Sequence, residues 1–254
     1  SNAISSNFVY INDALFKATI TPITDGVVTI NVPAEETQDN ANNGNIATNF
    51  SISVDRVKPT VIITSTVSNP TNNTFIATFT FSESVTGFDI SDLTLVNATA
   101  SNFTTTSSTI YSALITPTVS GNVTIDIAAN VANDAATNGN IAATTFTTVY
   151  DGTNPTVTIT SPISNATNNS FTITFTFSER VTGFEIGDIT LSNANASNFV
   201  TTNSSVYTAL ITPITEGSVT VDVAANVAND NAANGNVAAN RFTTNYDTTS
   251  PTIT

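Results

Sequence analysis

Phe171-Thr172-Ile173-Thr174-Phe175-Thr176-Phe177 alternates apolar residues strictly with threonine. A period of two sends successive side chains to opposite faces of an extended chain, so this stretch is a strand with one buried face and threonines on the other. The same pattern stands 96 residues earlier as Phe75-Ile76-Ala77-Thr78-Phe79-Thr80-Phe81, with Phe or Ala at the inward positions.

The correspondence runs far beyond one strand. Pro59 to Asp151 recurs, residue class for residue class, as Pro155 to Asp247, and the same spacing joins Glu83 to Glu179, Tyr111 to Tyr207, Asp134 to Asp230 and Asp151 to Asp247. Self-similarity at a fixed period marks an array of copies of one small domain. Residues 59–154 and 155–250 are read as complete units, each with its linker, and 4–58 as the C-terminal half of another unit with its linker. Ser1-Asn2-Ala3 is set aside as an expression scar, and 251–254 is read as the start of a further unit.

Within the last complete unit, strands are predicted near 156–161, 171–178, 188–193, 197–201, 206–212, 218–224 and 241–247. Comparing copies orients the fifth of them. Tyr207, Ala209 and Ile211 recur as Tyr111, Ala113 and Ile115 and as Phe16, Ala18 and Ile20, while the alternate positions vary and include Lys17, so the recurring set faces inward. Each copy of this strand ends in Thr-Pro, at Pro22, Pro117 and Pro213, where a missing N–H stops pairing. No stretch carries a capped 3.6-residue apolar period, and the Ala-rich run 224–239 is broken by Asn, Asp and Gly. The expected fold is all-β: tandem immunoglobulin-like β-sandwiches of about seven antiparallel strands each.

Composition narrows the chemistry. Cys, His, Met and Trp are absent, which removes disulfides, thiolate nucleophiles, imidazole bases and His-ligated zinc. Neither complete unit holds a Lys, so a Lys–Asn isopeptide cross-link within them is excluded too. With 19 acidic and 5 basic residues the net charge is −14, which repels nucleic acid and anionic membrane surfaces and makes cations the natural counterpart. No apolar run approaches the roughly 18 residues of a spanning helix, so no membrane insertion is expected. Few Lys and abundant Thr and Asn suit an extracellular array, secreted or at a cell surface.

At Phe-Ser-Glu-x-Val-Thr-Gly-Phe (81–88 and 177–184), at Asn-Asp-x-Ala-x-Asn-Gly-Asn (133–140 and 229–236) and at the Asp-x-x-x-Pro linkers, the chain resembles the bacterial immunoglobulin-like (Big-type) repeats of large surface adhesins. The resemblance covers nearly the whole chain. It implies stalk repeats whose partners are neighbouring repeats of the same chain, with linkers stiffened by calcium. Similar sandwiches also serve as glycan- or host-protein-binding modules and as accessory domains of secreted enzymes.

The acidic residues collect where such a stalk would be jointed. With strands running up and down in sequence, the linker, the loop between the second and third strands and the loop between the sixth and seventh share one pole. Asp55, Asp151 and Asp247 lie in linkers; Glu83, Asp89, Asp92, Glu179, Glu185 and Asp188 lie in the first kind of loop; Glu35, Glu36, Asp39, Asp134 and Asp230 lie in the second. Crowded carboxylates repel one another unless a cation sits among them, and calcium takes oxygens from carboxylates, amides and backbone carbonyls. The predicted ligand sets are Asp55, Glu83 and Asp134 with Asn138 and Asn140, and Asp151, Glu179 and Asp230 with Asn234 and Asn236. Asp92 and Asp188 are second choices, since either can simply cap the third strand. Plain turn chemistry competes with the metal reading, because Asn, Asp and Gly are ordinary turn residues and no contiguous EF-hand string is present.

No catalytic residue is assigned. A glycosidase pair must stand about 5–9.5 Å apart, and Glu83 and Glu179 belong to different units. Tyr111 and Tyr207 are read as core rings because Phe16 fills the same place, and Arg180 and Arg241 as solvated charges because Ser84 and Thr145 replace them. In residues 4–54 the first three strands are missing, which leaves Phe8, Phe16, Ile20 and Ile30 uncovered at about 25 cal/mol per Å² of exposed apolar surface. A second chain or a swapped segment is therefore expected to complete this half.

Overall fold

The computed structural model describes residues 2–163 and 165–253. The N-terminal half unit comprises β1 (Ala3–Asn12), β2 (Leu15–Pro22), β3 (Gly26–Val32) and β4 (Thr48–Val54). The first complete unit comprises β5 (Val61–Thr64), β6 (Phe75–Phe81), β7 (Leu93–Val96), β8 (Ala98–Thr105), β9 (Ile110–Pro117), β10 (Gly121–Ile127) and β11 (Phe146–Tyr150). The second follows as β12 (Val157–Thr160), β13 (Ala166–Thr167), β14 (Phe171–Phe177), β15 (Ile189–Ser192), β16 (Ala194–Asn203), β17 (Val206–Pro213), β18 (Gly217–Val223) and β19 (Phe242–Tyr246).

Each complete unit packs two sheets, with strand orders β5-β6-β9-β8 over β11-β10-β7 and β12-β14-β17-β16 over β13-β19-β18-β15. That is the immunoglobulin-like sandwich. One feature departs from the antiparallel expectation: β13 runs parallel to β19, pairing Ala166 with Asn245 and Thr167 with Tyr246, and Thr71 with Tyr150 repeats the contact one unit earlier. After its first strand the chain thus crosses from one sheet to the other. Two paired residues in an Asn-rich connection carry no periodicity, so the sequence offers no signal for this crossing.

The alternation in β14 is realised as read, with Phe171, Ile173, Phe175 and Phe177 buried. Tyr207, Ala209 and Ile211 of β17 face them across register pairs Phe175 with Tyr207, Ile173 with Ala209 and Phe171 with Ile211. Phe184, at the end of the Glu179 loop, sets its ring edge-on against Phe175, Phe177, Phe199 and Tyr207 with centroids 5.1–5.7 Å apart. This arrangement favours the aromatic quadrupoles and fastens the loop to the core. Arg241, read as a solvated charge, is exposed but pairs with Asp222 at 2.9 Å, where Thr145 bonds the matching Asp126 one unit earlier.

The N-terminal boundary needs correction. Asn2 and Ala3, set aside above, belong to the repeat: Ala3 pairs with Pro22 as Ala98 pairs with Pro117 and Ala194 with Pro213. The Asn2 amide bonds Thr24 as Asn193 bonds Thr215, and Asn97 makes the matching contacts to Thr118 and Val119. Asn2-Ala3-x-x-Ser-Asn-Phe against Asn97-Ala98-x-x-Ser-Asn-Phe was the overlooked signal.

Candidate metal centre at the domain junctions

Three loops deliver the carboxylates, and each is held by its own bonds. In the sixth-to-seventh-strand loop, Asp230 folds the chain around itself: one carboxylate oxygen accepts the N–H groups of Ala232 and Asn234 at 2.8 Å, and the other accepts the Asn234 side-chain amide at 2.9 Å. Asp134 does the same with Ala136 and Asn138. The glycine that follows is required by close approach. A Cβ on Gly235 would lie 2.2 Å from Asn226 Oδ1, and one on Gly139 would lie 2.3 Å from Asn130 Oδ1.

The loop bearing Glu179 is fixed at two points. Tyr207 donates its hydroxyl to the Val181 carbonyl at 3.2 Å, and Thr182 exchanges backbone hydrogen bonds with Asn229 at 2.8 and 2.9 Å. Tyr111, Val85, Thr86 and Asn133 repeat the arrangement one unit earlier. The core-ring reading of both tyrosines therefore stands, and each also positions the loop that carries the glutamate. The linker aspartates form turns of their own, Asp151 accepting from the Thr153 N–H and Asp55 from the Val57 N–H at 3.0 Å.

These three elements converge twice. Carboxylate oxygens of Asp55, Glu83 and Asp134 lie within 4.8 Å of one another, and so do those of Asp151, Glu179 and Asp230. Asp134 and Asp230 are buried, Asp55 is exposed, and the others are half-buried. Among the described residues the ion pairs are Arg56 with Asp25 and Arg241 with Asp222, so no cationic side chain pairs with either group.

Electrostatics record the crowding. Burial, then the Asp230 and Asp151 charges, push the Glu179 carboxyl above its ordinary value, and burial with Asp134 and Asp55 does the same to Glu83. Asp134 moves the other way: burial alone raises it, but the amide of Asn138 and the backbone N–H groups of Asn138, Ala136 and Thr137 together hold it below its ordinary value. Unopposed carboxylates held this close make a hard-cation site, since a divalent ion removes the repulsion and takes oxygen ligands.

The remaining predicted ligands divide. Asn138 and Asn234 reach the centre, each amide nitrogen bridging the buried aspartate and the linker carbonyl of Asp55 or Asp151, at 2.7–3.1 Å. Asn140 and Asn236 do not, which corrects the ligand sets drawn from sequence. The Asn236 oxygen accepts the N–H groups of Val227 and Ala228, and its nitrogen donates to Ala224 and Val237, so no oxygen remains for a metal. Asn140 is tied in the same way to Val131, Ala132, Ala128 and Ile141. Asp92 and Asp188 cap short 3-10 turns by accepting the Asp89 and Glu185 N–H groups at 2.8 and 2.7 Å.

The raised carboxyl predicts a pH dependence in the metal-free protein. A folded value above the ordinary 4.5 means the folded state holds the Glu179 proton more tightly than the unfolded chain. The stability it contributes is full below 4.5 and is lost as pH rises through the folded value. Glu179→Gln should therefore gain melting temperature relative to the parent as pH rises from 4.5 to 7 in chelator. A difference that stays constant or narrows contradicts the crowding.

Comparison with known proteins agrees with this architecture. A family model described as bacterial Ig-like domain matches residues 55–150 and 151–246. No curated protein sequence matches the chain. Among solved structures, invasin, a bacterial integrin-binding protein, is similar at 13% identity and a TM-score of 0.40, over 82% of this chain and 44% of its own. InvD of Yersinia pseudotuberculosis matches at 18% and 0.33, over 79% of this chain and 62% of its own. A tetra-tandem repeat from the extending region of a large adhesion protein matches at 17% and 0.33, over 96% and 66%. The chain thus spans from under half to about two thirds of these structures. With two tandem matches that cover most of its length, it belongs to the bacterial Ig-like domain family.

Proposed function

We propose that the chain is a structural extender of a secreted or cell-surface bacterial adhesin, a stalk whose joints calcium stiffens. One observation carries this reading: the same three carboxylates, one from the linker and two from the following sandwich, meet at both junctions without a cationic partner. An ion bound by both would restrain the angle between consecutive units. The reading has no place for catalysis, since the chain offers no His or Cys and its clustered acids serve the joints. Calorimetric titration of chelated protein should show two calcium-binding events, with small-angle scattering reporting a longer, stiffer particle. Absence of binding heat returns the loops to plain turn chemistry.

The second reading is a binding module for a host protein or glycan. It draws on the outer face of the first complete unit, where Ile62, Ile76 and Ile110 are exposed and the next unit has Thr158, Thr172 and Val206. An exposed apolar stripe in one copy alone is what a binding surface would add to a spacer.

A further inference from the structure

We infer that the open half unit pairs with its counterpart on a second copy of the chain, forming one shared, symmetric sandwich. The half unit is two separate two-stranded sheets, β1-β2 and β3-β4, equivalent to β8-β9 and β10-β11 of the next unit. There β9 pairs outward with β6, and β10 with β7. The edges of β2 and β3 are therefore free, which leaves backbone donors and acceptors without strand partners.

The apolar face between these edges is already set. Phe8 stacks on Phe16 at 5.7 Å, as Phe103 stacks on Tyr111 at 5.9 Å and Phe199 on Tyr207 at 5.8 Å. Coverage is what differs: Phe16 is 44% exposed, whereas Tyr111 and Tyr207 are 5% and 4% exposed. A cavity of about 660 Å³ opens beside Phe8, Phe16, Val32 and Ile46.

Geometry says what can fill it. In a complete unit β12 and β13 are consecutive yet flank opposite sheets, so the β12 and β19 edges lie on the same side. It follows that β1-β2 occupies one side of the upper layer and β3-β4 the other side of the lower layer. The vacant positions are diagonal. A two-fold axis normal to the sheets fills both at once, giving β1-β2 followed by β2-β1 of the second copy, over β4-β3 followed by β3-β4. Such an axis makes each new strand pair antiparallel, the sense that β6 and β7 have.

Side chains fit this symmetry. The strand that β9 accepts presents Phe75, Ala77 and Phe79 against Ile115, Ala113 and Tyr111. Centred on Ala18, a second β2 presents Phe16, Ala18 and Ile20 against Ile20, Ala18 and Phe16, the same large-small-large sequence. Lys17, the one charge on β2, then faces Thr19 rather than its own copy. On β3, Asn31 stands where complete units have Asp126 and Asp222, so the second new edge pairs without like charges. The own-chain alternative fails on reach. The 59–97 segment already covers its own unit, and the linker from Val54 to Pro59 spans at most about 3.6 Å per residue, too little to carry it back along the sandwich.

The test uses the whole chain, with and without calcium, because the contact is independent of the junction ions. Light scattering should give twice the 26.4 kDa chain mass. Because the chain lacks Cys, Ala18→Cys should oxidise to a disulfide-linked dimer, whereas Thr172→Cys on an exposed face should not. A monomer at all concentrations overturns the inference. So does a dimer that Ala18→Cys fails to link, which would point to a swap through other strands.

Discussion

Asp230→Ala removes the calcium response of the second junction and leaves that of the first unchanged. Asp230 plays two parts there: it supplies one of the three converging carboxylates, and it accepts three hydrogen bonds that shape its own loop. Without it, Asp151 and Glu179 face no third carboxylate and Asn234 loses the partner that holds it against the linker. Calcium at a hundredfold excess over its dissociation constant stabilises the folded state by about 2.7 kcal/mol. For a domain of this size that is a melting rise on the order of 10–20 °C, and it should vanish for the second unit alone. In chelator the variant should also lose about 1–3 kcal/mol, from donors left without acceptors in a buried loop. Asp230→Asn separates the two parts. Its carbonyl keeps the Ala232 and Asn234 N–H bonds, so it should lose the calcium response with little loss in chelator. Calorimetric scans of both variants with and without calcium decide the matter, and an undiminished calcium shift in either would place the ion elsewhere.

The contrast between Asp230 and Asn236 shows how far a sequence can be read. Both lie in one Asn-rich loop, and both carry an oxygen suited to calcium. Two copies in the same chain were enough to bring Asp151, Glu179 and Asp230 to one pole, because strand alternation fixes which loops share an end. Alternation says nothing about the direction of a side chain within a loop. Asn236 turns inward because the backbone around it, at Ala224, Val227, Ala228 and Val237, needs four polar partners in a buried turn. That requirement appears only once the loop has a shape. The parallel crossing at β13 was missed for a related reason, since two residues are too few to show a period. Asn2 was missed although its equivalent was legible in Asn97.

Phe175→Ala should destabilise the second complete unit by about 3–5 kcal/mol. The ring is fully buried in the centre of β14, opposite Tyr207 and edge-on to Phe184 at 5.3 Å. Its loss removes apolar burial, and the strands on either side cannot collapse into the space because both are pinned in four-stranded ladders. Phe184 also leads out of the loop that bears Glu179, so a loosened ring there should weaken calcium at the second junction as well. In an array, stability is close to a sum of unit and nearest-neighbour contributions. The melting profile should therefore split: a transition at least about 12 °C lower for the damaged unit, and an unshifted one for the unit built on Phe79. A single transition that moves as a whole would mean that the two sandwiches fold as one cooperative body. In that case the junction, with its paired carboxylates and the Asn72–Asn234 bond across it, would couple the units strongly even without metal.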